Sequence, residues 1–224
     1  MSKTKKHGVH QLAKGVRVTR VVFKFAYESE LIDKPVRFGP TFKEPNKKTK
    51  RKAARETGKR YFDADELRGI LKASTQPIRA MILLGINCGF GQTDIANLPT
   101  TAIDFETDWV SFPRPKTEID RRCPLWLETL DALREAAKHR GQPKDDSDAD
   151  CVFITRNRNR FVRMTPNDAP TKRARVDTVA PGFKRLMDSL GINGRHGFYA
   201  LHHTFETIGR ESRSEEHTSE LQSR

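Results

Sequence analysis

Apolar positions recur at helical spacing in several separate stretches of this 224-residue chain. The clearest stretch begins at Asp63, where Asp63 and Glu66 form the capping-box pattern that starts a helix, and it continues through Leu71. A second helix is predicted from about Pro77, because proline is accepted in the first helical turn. This second helix is the most apolar stretch of the chain, so we expect it to form the core.

Four more helices are predicted from the same periodicity. They cover residues 16–32, 127–139, 176–191 and 198–208. We expect the first to end at Asp33-Lys34-Pro35, because the residue before a proline is pushed out of the α region. Gly191 is expected to close the helix at 176–191 as its C′ residue. In the helix at 127–139, Leu130, Leu133 and Ala137 share a face. In the helix at 198–208, Leu201, Phe205 and Ile208 share a face.

The apolar period shortens to two after Pro99, which is typical of strands. Three short strands are predicted at residues 102–105, 109–112 and 121–125, and the segment 113–120 carries the turn residues between the last two. A further short strand is predicted at residues 152–154. A small antiparallel sheet that follows helices is the α+β pattern.

The chain carries 42 Lys and Arg residues against 29 Asp and Glu, a formal net charge of +13. A charge of that size favours a polyanionic partner, with nucleic acid as the leading candidate. The three cysteines are odd in number and form no Cys-x-x-Cys, which indicates neither a disulfide framework nor a zinc site. No ligand spacing joins His196, His202 and His203, so neither a metal nor a cofactor is predicted.

No apolar run approaches the roughly 18 residues of a membrane span. The basic N-terminus is not followed by the apolar segment of a secretory signal. We therefore expect a cytoplasmic, nucleoid-associated protein that has no membrane partner.

Three basic segments are candidate contacts for DNA phosphates. They comprise Arg17, Arg20 and Lys24 along one side of the first helix; Lys47, Lys48, Lys50, Arg51 and Lys52; and Arg156, Arg158 and Arg160. The second segment lies in residues 36–60, which Gly and Pro punctuate without any period, so a linker is predicted there. The first segment can equally be a solvated face. The position of the second between two helical modules favours wrapping around DNA over a merely solvated run, and nothing in the third identifies base readout.

Residues 199–205 resemble the His-x-Leu-Arg-His-Thr-Phe box of the tyrosine recombinases, or phage integrases. The matching residues are Leu201, His203, Thr204 and Phe205. Tyr199 stands in the slot of the first histidine, and His202 stands in the slot of the arginine that clamps the scissile phosphate in that family. We take Tyr199, His202 and His203 as candidate catalytic positions on this resemblance.

Residues 87–98 resemble the family's other arginine box, Thr-Gly-Leu-Arg-Ile-Ser-Glu-Leu-x-x-Leu. The residues that match in kind are Gly89, Phe90, Thr93, Asp94, Ile95 and Leu98. Gly91 stands in the arginine slot, and the bland interpretation is that Gly89 and Gly91 end one helix and start the next. Alignment on Pro124-Leu125 places Lys116 in the slot of the family's catalytic hairpin lysine, although it can also be an ordinary turn lysine.

The resemblance implies a mostly helical α+β catalytic domain with a small three-stranded antiparallel sheet. It assigns residues 1–35 to the end of a helical DNA-clamping domain, 36–60 to a basic linker and 61–212 to an incomplete catalytic domain. Residues 213–224 resemble the translation of a common sequencing-library adapter, so we expect them to be a non-native tail.

The chemistry that the resemblance implies is metal-free DNA strand exchange through a 3′-phosphotyrosyl bond. The only tyrosines are Tyr27, Tyr61 and Tyr199, so the family's later nucleophile is missing and the chain is expected to be inactive as written. The expected partner is double-stranded DNA, with a possible homo-oligomer on it. The alternatives are a non-catalytic DNA-binding module and a basic RNA-binding protein that stacks bases on Trp109, Phe112 or Phe153.

Overall fold

A computed structural model describes residues 8–166, 173–192 and 196–222 of the chain. The chain divides into two compact units, Met1–Lys59 and Arg60–Arg224. In the described residues the fold is mostly helical, with two small antiparallel sheets in the second unit. No helix in these segments combines the length and the apolar character that crossing a membrane requires.

The first unit contains α1 (Val9–Glu28), whose end differs from the sequence prediction. Instead of continuing to residue 32, the helix stops before Ser29, and Glu30 adopts a left-handed φ of 57°. The Leu31 N–H donates to Ala26 O at 2.8 Å and the Glu30 N–H donates to Tyr27 O at 3.1 Å, which is the Schellman pattern. This end was missed because glycine, not glutamate, is the usual signal at that position.

The first unit also contains α2 (Lys47–Thr57), inside the segment predicted to be a linker. The sequence predicted no helix for these residues, so α2 was missed. Asn46 caps the helix, since its side chain accepts a hydrogen bond from the Thr49 N–H at 2.8 Å. The helix has no broad apolar stripe, so periodicity could not detect it, whereas the N-cap residue could have.

The second unit is built around α4. Its helices are α3 (Ala64–Ala73), α4 (Ile78–Asn87), α5 (Gln92–Asn97), α6 (Leu127–Lys138), α7 (Val179–Ser189) and α8 (Ala200–Gln222). Asp63 and Glu66 form the predicted capping box of α3. Residues 80–87 of α4 are all buried, and α3, α6, α7 and α8 contribute side chains to the same apolar core. This confirms the expectation that the second predicted helix forms the core.

The predicted three-stranded sheet is present, with β1 (Ile103–Asp104), β2 (Trp109–Ser111) and β3 (Arg122–Pro124) in that order and antiparallel. Asn87, at the end of α4, fixes the corner between β3 and α6. Its side chain donates to Pro124 O at 3.0 Å and accepts from the Trp126 N–H at 2.9 Å and the Thr129 hydroxyl at 3.0 Å. This buried network holds the base of the β2–β3 hairpin against α4.

A second antiparallel pair, β4 (Val162–Pro166) and β5 (Arg173–Asp177), was not predicted. It takes residues that the sequence pattern assigned to the start of a helix at 176, and α7 therefore begins only at Val179. The predicted strand at 152–154 is absent; this part of the chain makes only the isolated bridges Pro99↔Cys151 and Ile154↔Arg160. Gly191 closes α7 with a φ of 67°, as predicted.

The buried faces of two helices also differ from their predictions. In α8 Ala200, Leu201 and Thr204 are buried, whereas Phe205 is 38% and Ile208 is 50% exposed. In α6 Ala136 is buried and Ala137 is exposed. Periodicity gives the angular spacing of a face but not which side a neighbour covers. Helix α8 continues through most of residues 213–224, and residues 223–224, like residues 1–7, lie outside the described residues.

Candidate functional site

The turn between α4 and α5 lies directly against α8. Gly89 has a φ of +66°, and a Cβ placed there would come within 2.7 Å of Phe205 Cδ1. Only glycine fits this approach without displacing an aromatic ring. The Gly89 carbonyl oxygen lies 2.8 Å from His202 Nδ1, so this nitrogen carries the proton if the contact is a hydrogen bond.

Gly91 caps the start of α5, as the bland interpretation of the sequence predicted. Its N–H donates a hydrogen bond to Asp94 Oδ2 at 3.0 Å. The φ of Gly91 is −88°, and a Cβ there would meet only Asp94 Oδ2 at 3.8 Å and Tyr199 Cδ2 at 3.9 Å. The position therefore has room for a side chain, although the chain supplies none.

Tyr199, His202 and His203 lie together at the start of α8. The Tyr199 ring is tilted against His202 at a centroid distance of 4.9 Å and meets His203 edge to face at 5.0 Å. Glu206, one turn later, lies 3.4 Å from His202 Nε2 and 3.4 Å from His203 Nδ1. The Glu206 carboxylate forms an ion pair with either imidazole only when that imidazole is protonated, whereas a neutral His203 can still donate a hydrogen bond to it from Nδ1.

The tertiary structure thus joins two boxes that lie about a hundred residues apart. Gly91 and Tyr199 are neighbours, and Gly89 is bonded to His202. We call the group Gly91, Tyr199, His202 and His203 the two-box site. Lys116 lies in the exposed turn between β2 and β3, and no contact in the described residues links it to the two-box site.

Two arginines that the sequence did not single out lie beside α5. Arg121, just before β3, donates from Nη1 to Asp94 Oδ2 at 3.2 Å and from Nε to Phe112 O at 3.3 Å. Arg175, on β5, donates from Nη2 to the Thr93 hydroxyl at 3.1 Å. No local pattern marks either residue, because both reach α5 from strands that are distant in sequence.

The basic residues of the first unit lie on the surfaces of its two helices. Arg17, Arg20 and Lys24 are exposed along α1, and Lys47, Lys48, Arg51 and Lys52 are exposed along α2. Four of the predicted cations already have partners in this unit, one of them Lys24, which pairs with Glu28 at 3.5 Å. Glu44 binds Lys50 at 2.6 Å and Arg17 at 3.3 Å, and Arg20 donates to Phe42 O at 2.9 Å.

Glu44 is the acidic centre of this arrangement. Hydrogen bonds from Lys50 and then Arg17 hold the pKa of the Glu44 carboxyl below its usual range. The Arg17 side chain is 67% exposed, and the Lys50 side chain is half-buried at 31%. They can therefore contact Glu44 and still present charge to a partner.

The arginines of the third basic segment have two different environments. Arg156 and Arg158 are exposed and line a surface cavity next to the end of α6, and Arg156 also lines a second cavity next to α7. Arg160 instead points inward: it pairs with Asp148 at 2.7 Å and donates to Asn97 Oδ1 at 2.6 Å. Its side chain joins the 146–148 turn to α5, so the geometry gives it an internal role. The sequence could not separate it from its exposed neighbours.

The thiols of Cys88 and Cys123 lie beside the α4–α5 turn and are both reduced. A hydrogen bond donated to Cys123, together with burial, raises the pKa of the Cys88 thiol far above its usual range. Cys88 is therefore a packing residue next to Gly89 rather than a nucleophile.

The aromatic residues that an RNA-binding surface would need are engaged internally. Phe153 is 1% exposed. The Phe112 ring packs edge to face on Phe90 at 6.2 Å, and the Arg122 guanidinium covers Trp109 at 4.4 Å. This arrangement gives no row of open rings on the sheet, which disfavours the base-stacking alternative.

A family model described as the phage integrase family matches residues 60–212, which include the two-box site and the β2–β3 hairpin. The chain belongs to the phage integrase family. The tyrosine-recombinase resemblance drawn from the sequence is therefore confirmed, as is the fold class. No curated protein sequence matches the chain.

Solved structures share the fold at low sequence identity. The Tn1549 transposon integrase in complex with circular intermediate DNA is 15% identical with a TM-score of 0.63, over 92% of this chain and 67% of that one. XerA recombinase is 17% identical with a TM-score of 0.52, over 89% and 62%. A lambda integrase dimer bound to a COC′ core site is 13% identical with a TM-score of 0.53, over 91% and 74%. The chain thus spans roughly two thirds of the length of these solved chains.

Proposed function

We propose that this chain is the DNA-binding portion of a tyrosine recombinase and that it binds duplex DNA without cleaving it. One observation carries the proposal: the two family boxes meet at Gly91 and Tyr199, with 3.9 Å between the Cβ position of one and the ring of the other. The solved structures of similar fold include integrases in complex with DNA, which supports duplex DNA as the partner. On this proposal the protein acts at the nucleoid and assembles as a homo-oligomer on DNA.

On this proposal, different parts of the chain contact DNA in different ways. The exposed cations of α1 and α2 supply sequence-independent attraction to phosphates, and the first unit acts as the end of a DNA-clamping domain. The two-box site, with Lys116 in the nearby hairpin, faces the phosphate at which the parent enzyme would react. Arg156 and Arg158 add contacts, and Arg160 is excluded because its side chain is bonded internally.

The missing cations explain why binding without cleavage is the expected result. Strand transfer needs donors that stabilise negative charge on the transferring phosphoryl group, and losing one such donor costs about 10²- to 10³-fold in rate. Gly91 offers no side-chain donor, and His202 contributes a full charge only when it is protonated. Tyr199 occupies a histidine slot rather than the slot of the family's nucleophile.

The test is a salt series of binding measurements on the full chain with a short mixed-sequence duplex and a matched single-stranded RNA. We expect duplex affinity to fall steeply with salt, with a log–log slope of about −0.9 for each phosphate contact, and to exceed the RNA affinity. The same samples, denatured in detergent, should contain no covalent protein–DNA adduct. A preference for the RNA would reject duplex DNA as the partner, and an adduct would reject the loss of cleavage.

A further inference from the structure

We propose that Arg121 supplies a phosphate-binding guanidinium in the place that Gly91 leaves without one. The inference rests on the proposed duplex-DNA binding and deepens it, because it names a residue that would contact the phosphodiester at the two-box site. It concerns the residues of this chain that surround α5.

The guanidinium of Arg121 lies in the region that an arginine at position 91 would reach. The Cβ position of Gly91 is 3.8 Å from Asp94 Oδ2, and that oxygen is 3.2 Å from Arg121 Nη1. Nη1 therefore lies no more than about 7 Å from the Cβ position, a distance close to the length of an arginine side chain. The Arg121 guanidinium is supplied by the segment just before β3, whereas an arginine at position 91 would lie at the start of α5.

Part of the guanidinium has no partner. Arginine has N–H donors on Nε, Nη1 and Nη2. In Arg121 Nε is bonded to Phe112 O and Nη1 to Asp94. Nη2 is buried and has no hydrogen-bond partner among the described residues. A charged donor in that state calls for an explanation, and an anion at the site is one of the few available.

The rest of the side chain is held in a defined place. The guanidinium lies over the ring of Phe90 at 4.5 Å, and Phe90 itself is 1% exposed. Asp94 is fixed in turn by the Gly91 N–H. The Arg121 side chain is 22% exposed although Nη2 itself is buried, so phosphate binding requires the guanidinium to rotate Nη2 outward. A planar donor set that is already oriented is suited to a phosphate oxygen.

Arg134 on α6 provides a matched control. Its guanidinium also lies over an aromatic ring, Phe105, at 5.5 Å, and its Nη1 also binds one aspartate, Asp131, at 3.1 Å. It differs in location, since neither family box contacts it in the described residues, and its side chain is 47% exposed. The variants Arg121→Gln and Arg134→Gln thus make the same chemical change in comparable settings.

The experiment compares the salt dependence of duplex binding by the wild-type chain and these two variants. We expect Arg121→Gln to make the log–log slope shallower by about 0.9, the value for one lost phosphate contact, and Arg134→Gln to leave the slope unchanged. Equal slopes for all three proteins would overturn the role of Arg121 while leaving duplex binding intact. A wild-type chain that binds no duplex would overturn the proposed function and this inference with it.

A second variant separates phosphate binding from a purely structural role. In Arg121→Gln, the additional change Gly91→Arg should restore the lost slope, because the new guanidinium reaches the same phosphate and position 91 has room for it. If Arg121→Gln fails to fold, the Arg121 side-chain nitrogen resonances of the wild-type chain decide the question. They should shift when duplex is added, and resonances that stay in place would reject the inference.

Discussion

The two units of the molecule differ most in their net charge and in how many apolar side chains they bury. The first unit, residues 1–59, carries 17 Lys and Arg residues against 5 Asp and Glu, whereas residues 60–224 carry 25 against 24. Almost all of the net charge of +13 therefore belongs to the smaller unit. The second unit holds nearly all the buried apolar side chains, because in the described part of the first unit only Ala13 and Val16 are among them.

This difference teaches that one part of a chain can attract DNA through its charge while another part positions individual hydrogen-bond donors at a phosphate. Dense positive charge opposes a compact core through self-repulsion, so the strongly basic unit buries little. The nearly neutral unit packs a full core and can hold individual donors such as Arg121 in fixed positions. Variants in the two units should accordingly affect different measurements.

The largest expected effect comes from removing charge in the first unit. We expect the fourfold variant Lys47→Gln, Lys48→Gln, Arg51→Gln and Lys52→Gln to make the log–log salt slope of duplex binding shallower by about 3 to 4, because each phosphate contact contributes about 0.9. The melting temperature should not fall, since all four side chains are exposed.

The control removes the same formal charge from the second unit, through Lys72→Gln, Arg134→Gln, Lys138→Gln and Lys184→Gln. Its slope should stay close to that of the wild type. If the two fourfold variants weaken binding equally, binding depends only on total charge, and the division between the units does not hold for function.

The next effect concerns the internal arginine of the second unit. Arg160→Gln should lower the free energy of unfolding by about 3 kcal/mol, because it leaves the nearly buried Asp148 carboxylate without its cation. Chemical denaturation measures this directly. The exposed neighbour supplies the contrast: Arg156→Gln should leave stability unchanged and make the salt slope shallower by about 0.9. Unchanged stability in Arg160→Gln would contradict the internal role.

A smaller effect is expected where α8 meets the start of the second unit. The buried Thr204 hydroxyl accepts from the Phe62 N–H at 3.0 Å and donates to Ala200 O at 3.0 Å. Thr204→Val should lower the free energy of unfolding by about 1–3 kcal/mol, because it leaves a buried N–H unsatisfied. Thr204→Ser keeps the hydroxyl and should cost clearly less. Similar losses in both variants would indicate that packing, not the hydrogen bond, matters there.

The smallest expected effect is a pH dependence in the first unit. The pKa of Glu44 is lowered in the folded state, mainly by Lys50 and then by Arg17. Its contribution to stability is therefore fully present above the unfolded value of about 4.3 and is lost as pH falls through the lower folded pKa. Circular dichroism from pH 6 to pH 3 should show helix loss in the wild type that is weaker in Glu44→Gln. The variant Glu28→Gln should keep the wild-type profile, since Lys24 and Glu28 form only an exposed pair on one helix.

The sequence by itself determined the elements whose signal is local. The capping box at Asp63, the apolar helix after Pro77, the three short strands and the turn at Gly89 and Gly91 were all predicted correctly, because caps, periodicity and glycine act within a few residues. The family was also determined at this level, since its boxes are contiguous stretches. Helix α2 and the β4–β5 pair were missed because their residues are too polar to give a periodic signal.

Only the tertiary structure decided which side chains meet. It placed Tyr199 beside Gly91, turned Arg160 inward while leaving Arg156 exposed, and exposed Phe205 and Ile208 although Leu201 on the same predicted face is buried. It also brought Arg121 to Asp94 across 27 positions of sequence. The physical reason is that burial and pairing depend on neighbours supplied by distant segments, which no pattern within one segment records.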